Sequence, residues 1–206
     1  MKKPKFLYFD LGKVLLNFDH ELAVHQLAKT LAATPDTVRS LLFEGPLQAD
    51  YERGHVSTQQ FCDVLRKETS SKVSDAAICL AASEIFHVNC EIMPLITGLV
   101  STGVPMGILS NTCDAHWDYI VNRPYSLVDL FPIHVLSFQV GSSKPDGSIY
   151  QHAAKITGCR PDELFFVDDR ADNVAGAINA GLDAIVFEST AQLRRDLRNR
   201  GIRFNS

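Results

Sequence analysis

Four groups of polar residues in this 206-residue sequence stand at or just beyond the ends of short apolar runs and carry side chains able to do chemistry. Asp10 follows Phe-Leu-Tyr-Phe, and Ser110-Asn111-Thr112 follow the run at 105–109. Lys144 sits in a Gly-Ser-Ser-Lys-Pro-Asp-Gly loop, and Asp168-Asp169 follow Leu-Phe-Phe-Val. A carboxylate can attack or bind a metal, a hydroxyl and an amide can donate hydrogen bonds, and a lysine can neutralise an anion. Two adjacent acids repel each other unless a cation sits beside them. Each group also has an ordinary reading: a turn at Asp10, a helix cap at Ser110, a surface lysine in a turn, and a solvated acidic loop. For the acidic pair, a metal site and a solvated loop both stay open. The ordered conjunction of all four is more specific than any one of them.

Elements that place such residues together follow from the apolar pattern. The runs at 6–9, 105–109, 133–136, 164–167 and 184–187 do not alternate with polar residues, as expected for strands buried on both faces of a parallel sheet. Helical spacing predicts helices over 91–101, 114–121, 148–157, 173–180 and 190–200, with Gly103, Gly158, Gly181 and Gly201 just beyond four of them. Strand and helix alternate, so the fold class is α/β, a Rossmann-like doubly wound parallel sheet. Ligands of such sheets bind at the carboxyl ends of the strands, so Asp10, Ser110, Ser137, Asp168 and Glu188 are expected to converge on one crevice. From about Asp19 to Cys90 only helical patterns occur: Leu22, Leu27 and Leu31 on one, with others at 37–43 and 61–65 and starts at Thr58 and Ser74. The expected division is a core of residues 1–17 and 91–206 with an inserted all-helical cap at 18–90.

Composition narrows the function classes. The chain is 46% hydrophobic and 21% charged, which excludes a disordered protein, and its net charge of −4 leaves no basic footprint for nucleic acid or an anionic membrane. Five cysteines, at 62, 79, 90, 113 and 159, show no C-x-x-C spacing and suit reduced thiols. The apolar run after the basic amino terminus stops at Asp10, too short for a signal-peptide core or a bilayer span. A soluble cytoplasmic protein is expected, with no nucleic-acid or membrane partner and a monomer as the default state.

The four ordered motifs, with the helical insert after the first strand, resemble the haloacid dehalogenase-like hydrolase superfamily over essentially the whole chain. The segments Phe9-Asp10-Leu11-Gly12, Leu109-Ser110-Asn111-Thr112 and Ser143-Lys144-Pro145-Asp146 look like its small helical-cap group, which includes sugar-phosphate phosphatases such as the bacterial glucose-1-phosphate phosphatases and the phosphatase domains of soluble epoxide hydrolases. Tyr51-Glu52-Arg53-Gly54-His55-Val56-Ser57 resembles the cap segment that overhangs the pocket there. The resemblance implies that Asp10 attacks phosphorus and forms an aspartyl-phosphate, and that Lys144 neutralises charge. Ser110, Asn111 and Lys144 would bind the transferring phosphoryl group. Asp10, the main-chain carbonyl of Gly12 and Asp169 would hold Mg2+, with Asp168 an indirect or water-bridged partner. The implied substrate is a small phosphorylated metabolite, a sugar phosphate such as glucose 1-phosphate first among them.

One position departs from the superfamily pattern. The acid and base usually stands two places after the nucleophile, and Gly12 stands there instead. Either the leaving oxygen departs with little help, as an anomeric oxygen does, or another side chain substitutes; His116, His20 and His55 are the candidates, each also readable as a packing or surface histidine. Gly12 also motivates a rival reading, a fold-preserving binding or regulatory protein with weak turnover. A second rival is displacement of halide from a 2-haloacid without metal, which the acidic pair opposes. Trp117, Tyr119 and Tyr125 are expected to pack rather than line a pocket. His20 and His25 lack zinc spacing, and the 194–200 cluster is expected to be a solvated helix face.

Overall fold

The run Phe6–Phe9 forms strand β1, with every side chain buried because its neighbours alternate between two apolar layers. Leu7 and Phe9 face one cluster with Ile108, Phe165 and Val167, whereas Phe6 and Tyr8 face another with Leu109, Leu164 and Phe166. Burying such a side chain contributes about 1.5–3 kcal/mol, so the strand has no solvent face to mark with polar residues. The computed structural model describes residues 3–123 and 127–204. Tyr125 therefore lies outside the described residues.

After β1 the chain forms β2 (Leu16–Asn17), then α1 (His20–Leu31), α2 (Pro35–Phe43), α3 (Leu47–Glu52), α4 (Thr58–Thr69) and α5 (Asp75–Ser83), and returns through β3 (His87–Val88). It continues with α6 (Met93–Val100), β4 (Met106–Ser110), α7 (Asp114–Val121), β5 (Ile133–Leu136), α8 (Ser137–Val140) and α9 (Gly147–Thr157). The last elements are β6 (Leu164–Asp168), α10 (Ala171–Asn179), β7 (Asp183–Val186) and α11 (Thr190–Asn199). Five strands form a parallel sheet in the order β5-β4-β1-β6-β7, the doubly wound arrangement expected from the sequence. The order reverses between β1 and β6, so the ligand crevice of this topology falls at their carboxyl ends.

Helices α1–α5 bury their own cluster, including Val24, Leu27, Leu31, Phe61, Leu65 and Ile78. Asp19 caps α1 by accepting from the N–H groups of Glu21 and Leu22, and Ser74 caps α5. Ser57, not Thr58, caps α4 through a capping box with Gln60; Thr58 is the first helical residue. Leu22 is exposed, contrary to the expected stripe, because it stands five residues from Leu27 while the buried face runs through Val24, Leu27, Ala28 and Leu31. Arg200 also departs from the solvated face expected for its cluster. It is buried over the Phe165 ring, and its guanidinium donates to both Asp183 oxygens, at 2.5 and 2.8 Å. The antiparallel β2–β3 ribbon closes the helical segment where the chain leaves and rejoins the sheet. Among the described residues, no helix is long and apolar enough to cross a membrane.

Candidate active site

Parallel register assembles the centre of the crevice. Phe9 lies opposite Val167 and Ile108, so one residue further Asp10 comes level with Asp168 and close to Ser110. Lys144, from the loop between α8 and α9, inserts its ammonium between the acids. Nζ donates to Asp10 Oδ1 at 2.7 Å, to Asp168 Oδ2 at 2.6 Å and to the Leu109 carbonyl at 2.9 Å. Its loop is held from two sides. Asn111 makes reciprocal hydrogen bonds with the Lys144 main chain, and Gly176 of α10 approaches so closely that a Cβ there would lie 2.5 Å from the Pro145 carbonyl oxygen.

Asp168 is fully buried and saturated: besides Lys144 it accepts from Asn173 Nδ2 at 3.0 and 3.1 Å and from the Arg170 N–H at 2.9 Å. Asp169 is partly exposed and faces the cavity, and oxygens of Asp10, Asp168 and Asp169 lie within 4.8 Å of one another. Burial raises the pKa of Asp10, Lys144 works against that rise, and the charge of Asp168 adds to it. Burial also opposes the Lys144 charge, but Asp10 and Asp168 outweigh it and hold its pKa above the ordinary lysine value. Burial, then Asp168, raises Asp169. Fully ionised, the three carboxylates outnumber the Lys144 ammonium at the centre of the cluster, and the donors are all hard oxygens. That combination fits a divalent magnesium ion.

A cavity of about 420 Å³ opens over this cluster, of a size that suits a small metabolite. Asp10, Gly12, Ser110, Asn111, Lys144 and Asp169 line its floor, while His20 and Glu52 reach it from the helical segment. At Gly12 an added Cβ would sit 2.7 Å from Phe18 Cε1, so the Phe18 ring fills the space a side chain there would need.

A family model of haloacid dehalogenase-like hydrolases matches residues 7–181, a span that includes every floor residue. The chain belongs to that family. D-ribitol-5-phosphate phosphatase of Bacteroides thetaiotaomicron is 25% identical over 199 residues, 94% of this chain and 96% of that protein. Drimenol cyclase drtB of Aspergillus calidoustus is 25% identical over 200 residues, and the chain spans only 36% of that protein's length. A HAD family enzyme from Bacteroides thetaiotaomicron, solved in complex with magnesium and inorganic phosphate, superposes with a TM-score of 0.76 at 26% identity, covering 90% of this chain and 95% of that one.

In this haloacid dehalogenase-like hydrolase the remaining sequence expectations divide between those that hold, such as Trp117 packing against the core, and those that do not, such as Glu188. Glu188 does not join the crevice: β7 is an edge strand, and Glu188 is exposed where α11 begins. Ser137 is buried beside the crevice as a strut, accepting from the Thr112 N–H at 3.0 Å and donating to the Glu52 carbonyl at 2.5 Å. His55 is exposed beside Asp50 and outside the cavity, whereas His20 stands at its rim. His116 lines the cavity edge-on to Phe86, and burial pushes its pKa down to about 4, so it is neutral near pH 7. Trp117 packs against the core and His134, and neither it nor Tyr119 lines the cavity. Sequence reasoning did not single out Glu52 or Phe18. The spacing of Phe18 from Gly12 carries no signal without the β2 turn. Glu52 lies in the overhanging cap segment, but only the docked helices aim it.

Proposed function

We propose that this family member is a magnesium-dependent phosphoric monoester hydrolase acting on a small phosphorylated metabolite, of which sugar phosphates such as glucose 1-phosphate are the leading class. The observation that carries this reading is Lys144 bonded to both Asp10 and Asp168 beneath a cavity that Asp169 also lines. The magnesium-and-phosphate complex of the similar enzyme and the phosphatase relative support it. In this reading residues 1–17 and 91–206 are the catalytic core and 18–90 the cap that covers it. The cysteine pattern keeps a cytoplasmic setting part of the reading.

Asp10 attacks phosphorus and the ester P–O bond breaks, leaving an aspartyl-phosphate that water then cleaves at phosphorus. Ser110 and Asn111 donate hydrogen bonds to the phosphoryl oxygens, and Lys144 balances their charge while steadying Asp10. Asp10, the Gly12 carbonyl and Asp169 would hold magnesium, with the saturated Asp168 orienting its neighbours from behind. Bound there, magnesium supplies charge neutralisation between the attacking carboxylate and the anionic phosphoryl group.

Phosphate release from a panel of sugar phosphates and an aryl phosphate tests this. Release should require magnesium and disappear in Asp10→Asn. Full activity in that variant, or halide release from a 2-haloacid in the presence of chelator, would overturn the assignment.

A further inference from the structure

Gly12 leaves the site without the acid that usually follows the nucleophile, and Phe18 occupies the space where such a side chain would stand. Among the described residues lining the cavity, the carboxyl groups are Asp10, Asp169 and Glu52. The first two belong to the charged cluster at the strand ends, whereas Glu52 comes from the end of α3 on the cap side.

The segment carrying Glu52 is fixed to the core on both sides. Before it, the Tyr51 hydroxyl accepts from the Ala115 N–H at 3.1 Å and bonds with the Thr58 hydroxyl at 2.9 Å. At it, the Glu52 carbonyl accepts from the buried Ser137 hydroxyl. After it, Gly54 lies against the Phe138 carbonyl, where a Cβ would come within 2.2 Å, and its φ of +72° favours glycine independently. Gln48 Nε2 donates to Glu52 Oε1 at 2.9 Å and orients the carboxyl. A side chain on a segment anchored in this way is held at the wall of the cavity that opens over Asp10, as an acid and base must be.

We propose that the Glu52 carboxyl is the general acid and base of the phosphoryl transfer, in place of the acid absent at Gly12. This rests on the phosphatase reading. Protonated Glu52 gives its proton to the bridging ester oxygen as that P–O bond breaks and Asp10 bonds to phosphorus, so the alcohol leaves neutral. The resulting carboxylate takes a proton from the water that attacks the aspartyl-phosphate, breaking the P–O bond to Asp10 and restoring protonated Glu52. Burial favours the protonated form, raising the Glu52 pKa, while Gln48, Arg53, Arg170 and Lys144 act in the other direction. The Cys113 thiol is also close enough to feel the charge of Glu52, and neutral His116 lines the same cavity. With this acid present, substrates are not limited to anomeric phosphates with good leaving groups.

The test compares Glu52→Gln with wild type, in magnesium, on an alkyl-type sugar phosphate and on p-nitrophenyl phosphate, whose leaving group needs no proton. The variant should lose about a hundredfold or more in kcat/KM on the sugar phosphate and far less on the aryl ester. On the aryl ester it should release a burst of about one equivalent of nitrophenolate and then turn over slowly, because water attack lacks its base. Its melting temperature should stay close to that of wild type, since glutamine keeps the shape of the protonated carboxyl and an oxygen to accept from Gln48. Equal losses on both substrates without a burst, or no loss, would overturn the proposal. Should Glu52→Gln fail to fold, the wild-type pH profile decides. The sugar-phosphate kcat/KM should fall with rising pH where the aryl kcat/KM does not, and parallel profiles would overturn the proposal. Wild type inactive on both substrates would instead sink the phosphatase reading itself.

Discussion

The Asn111 side chain grips the Lys144 main chain at both polar atoms: Nδ2 donates to the carbonyl at 2.9 Å and Oδ1 accepts the N–H at 2.8 Å. The pair ties the end of β4 to a loop more than thirty residues further along the chain. Through it, the strand that presents Ser110 also sets the position from which the Lys144 ammonium reaches Asp10 and Asp168. Two elements of the site are thereby kept in register by one amide.

Asn111→Ala should therefore damage both stability and turnover. It leaves two main-chain groups of a buried residue without these partners, at a cost of about 1–3 kcal/mol for each left unpaired. A misplaced ammonium, together with loss of the Asn111 amide as a donor to the phosphoryl group, should lower kcat by about a hundredfold or more, since a displacement near 1 Å alone has an effect of that size. Urea denaturation and steady-state kinetics on an aryl phosphate check both. Wild-type stability with wild-type kcat would show that the grip does not matter.

Gly12→Asp should lose stability to the Phe18 ring. Its Cβ would lie 2.7 Å from Phe18 Cε1, so the half-buried ring must turn aside, at about 0.5–1.5 kcal/mol where that drives it off its rotamer. Phe18 also covers Lys13, whose Nζ lies 4.4 Å from the ring centroid and donates to the Phe18 carbonyl at 2.6 Å. Trimming the ring in Gly12→Asp/Phe18→Ala should recover part of the stability lost to the clash. Thermal melts of the two variants and of Phe18→Ala alone close the cycle, and additive effects would refute the steric account.

These two relationships mark where the sequence stops being legible. The three central strands could be read because both faces of each are covered, so runs such as Phe6–Phe9 carry no polar interruption. The edge strands β5 and β7 are only partly buried and could be read from their short apolar runs alone. Asp10, Ser110 and Asp168 could be placed together because parallel register fixes strand ends relative to one another. The ribbon of Leu16–Asn17 and His87–Val88 is two residues per strand, too short for any period, and the four-residue Ser137–Val140 helix is equally silent. The aim of Glu52 depends on Ser137 and Phe138, more than eighty residues away, and docking across that separation leaves no local pattern.

Magnesium should raise the melting temperature, and chelator should reverse it, because a dication offsets the excess of carboxylates, Asp10, Asp168 and Asp169, over the Lys144 ammonium. At a hundred times its dissociation constant, the ion should add about 2.7 kcal/mol. Asp169→Asn removes a cavity-facing oxygen charge and should require about tenfold more magnesium, or worse, for the same shift. A melting temperature indifferent to magnesium in wild type, or an undiminished response in Asp169→Asn, would remove Asp169 from the metal site.

His116 should give the fold an acid limb of its own. Burial drives its pKa from 6.5 to about 4, nearby His20 acts in the same direction, and a hydrogen bond to the Ala82 backbone opposes them. Because the folded pKa is depressed, the unfolded chain binds the extra proton between these values. The contribution is therefore complete above pH 6.5 and is lost as pH falls toward 4, to a total of about 3 kcal/mol. His116→Leu keeps an apolar contact with Phe86 and removes the titrating group, so its urea midpoint should fall less steeply across that window. The comparison is made at several pH values in chelator, so that the acidic cluster carries no metal in either protein. An identical limb in the variant would assign the acid sensitivity to other groups.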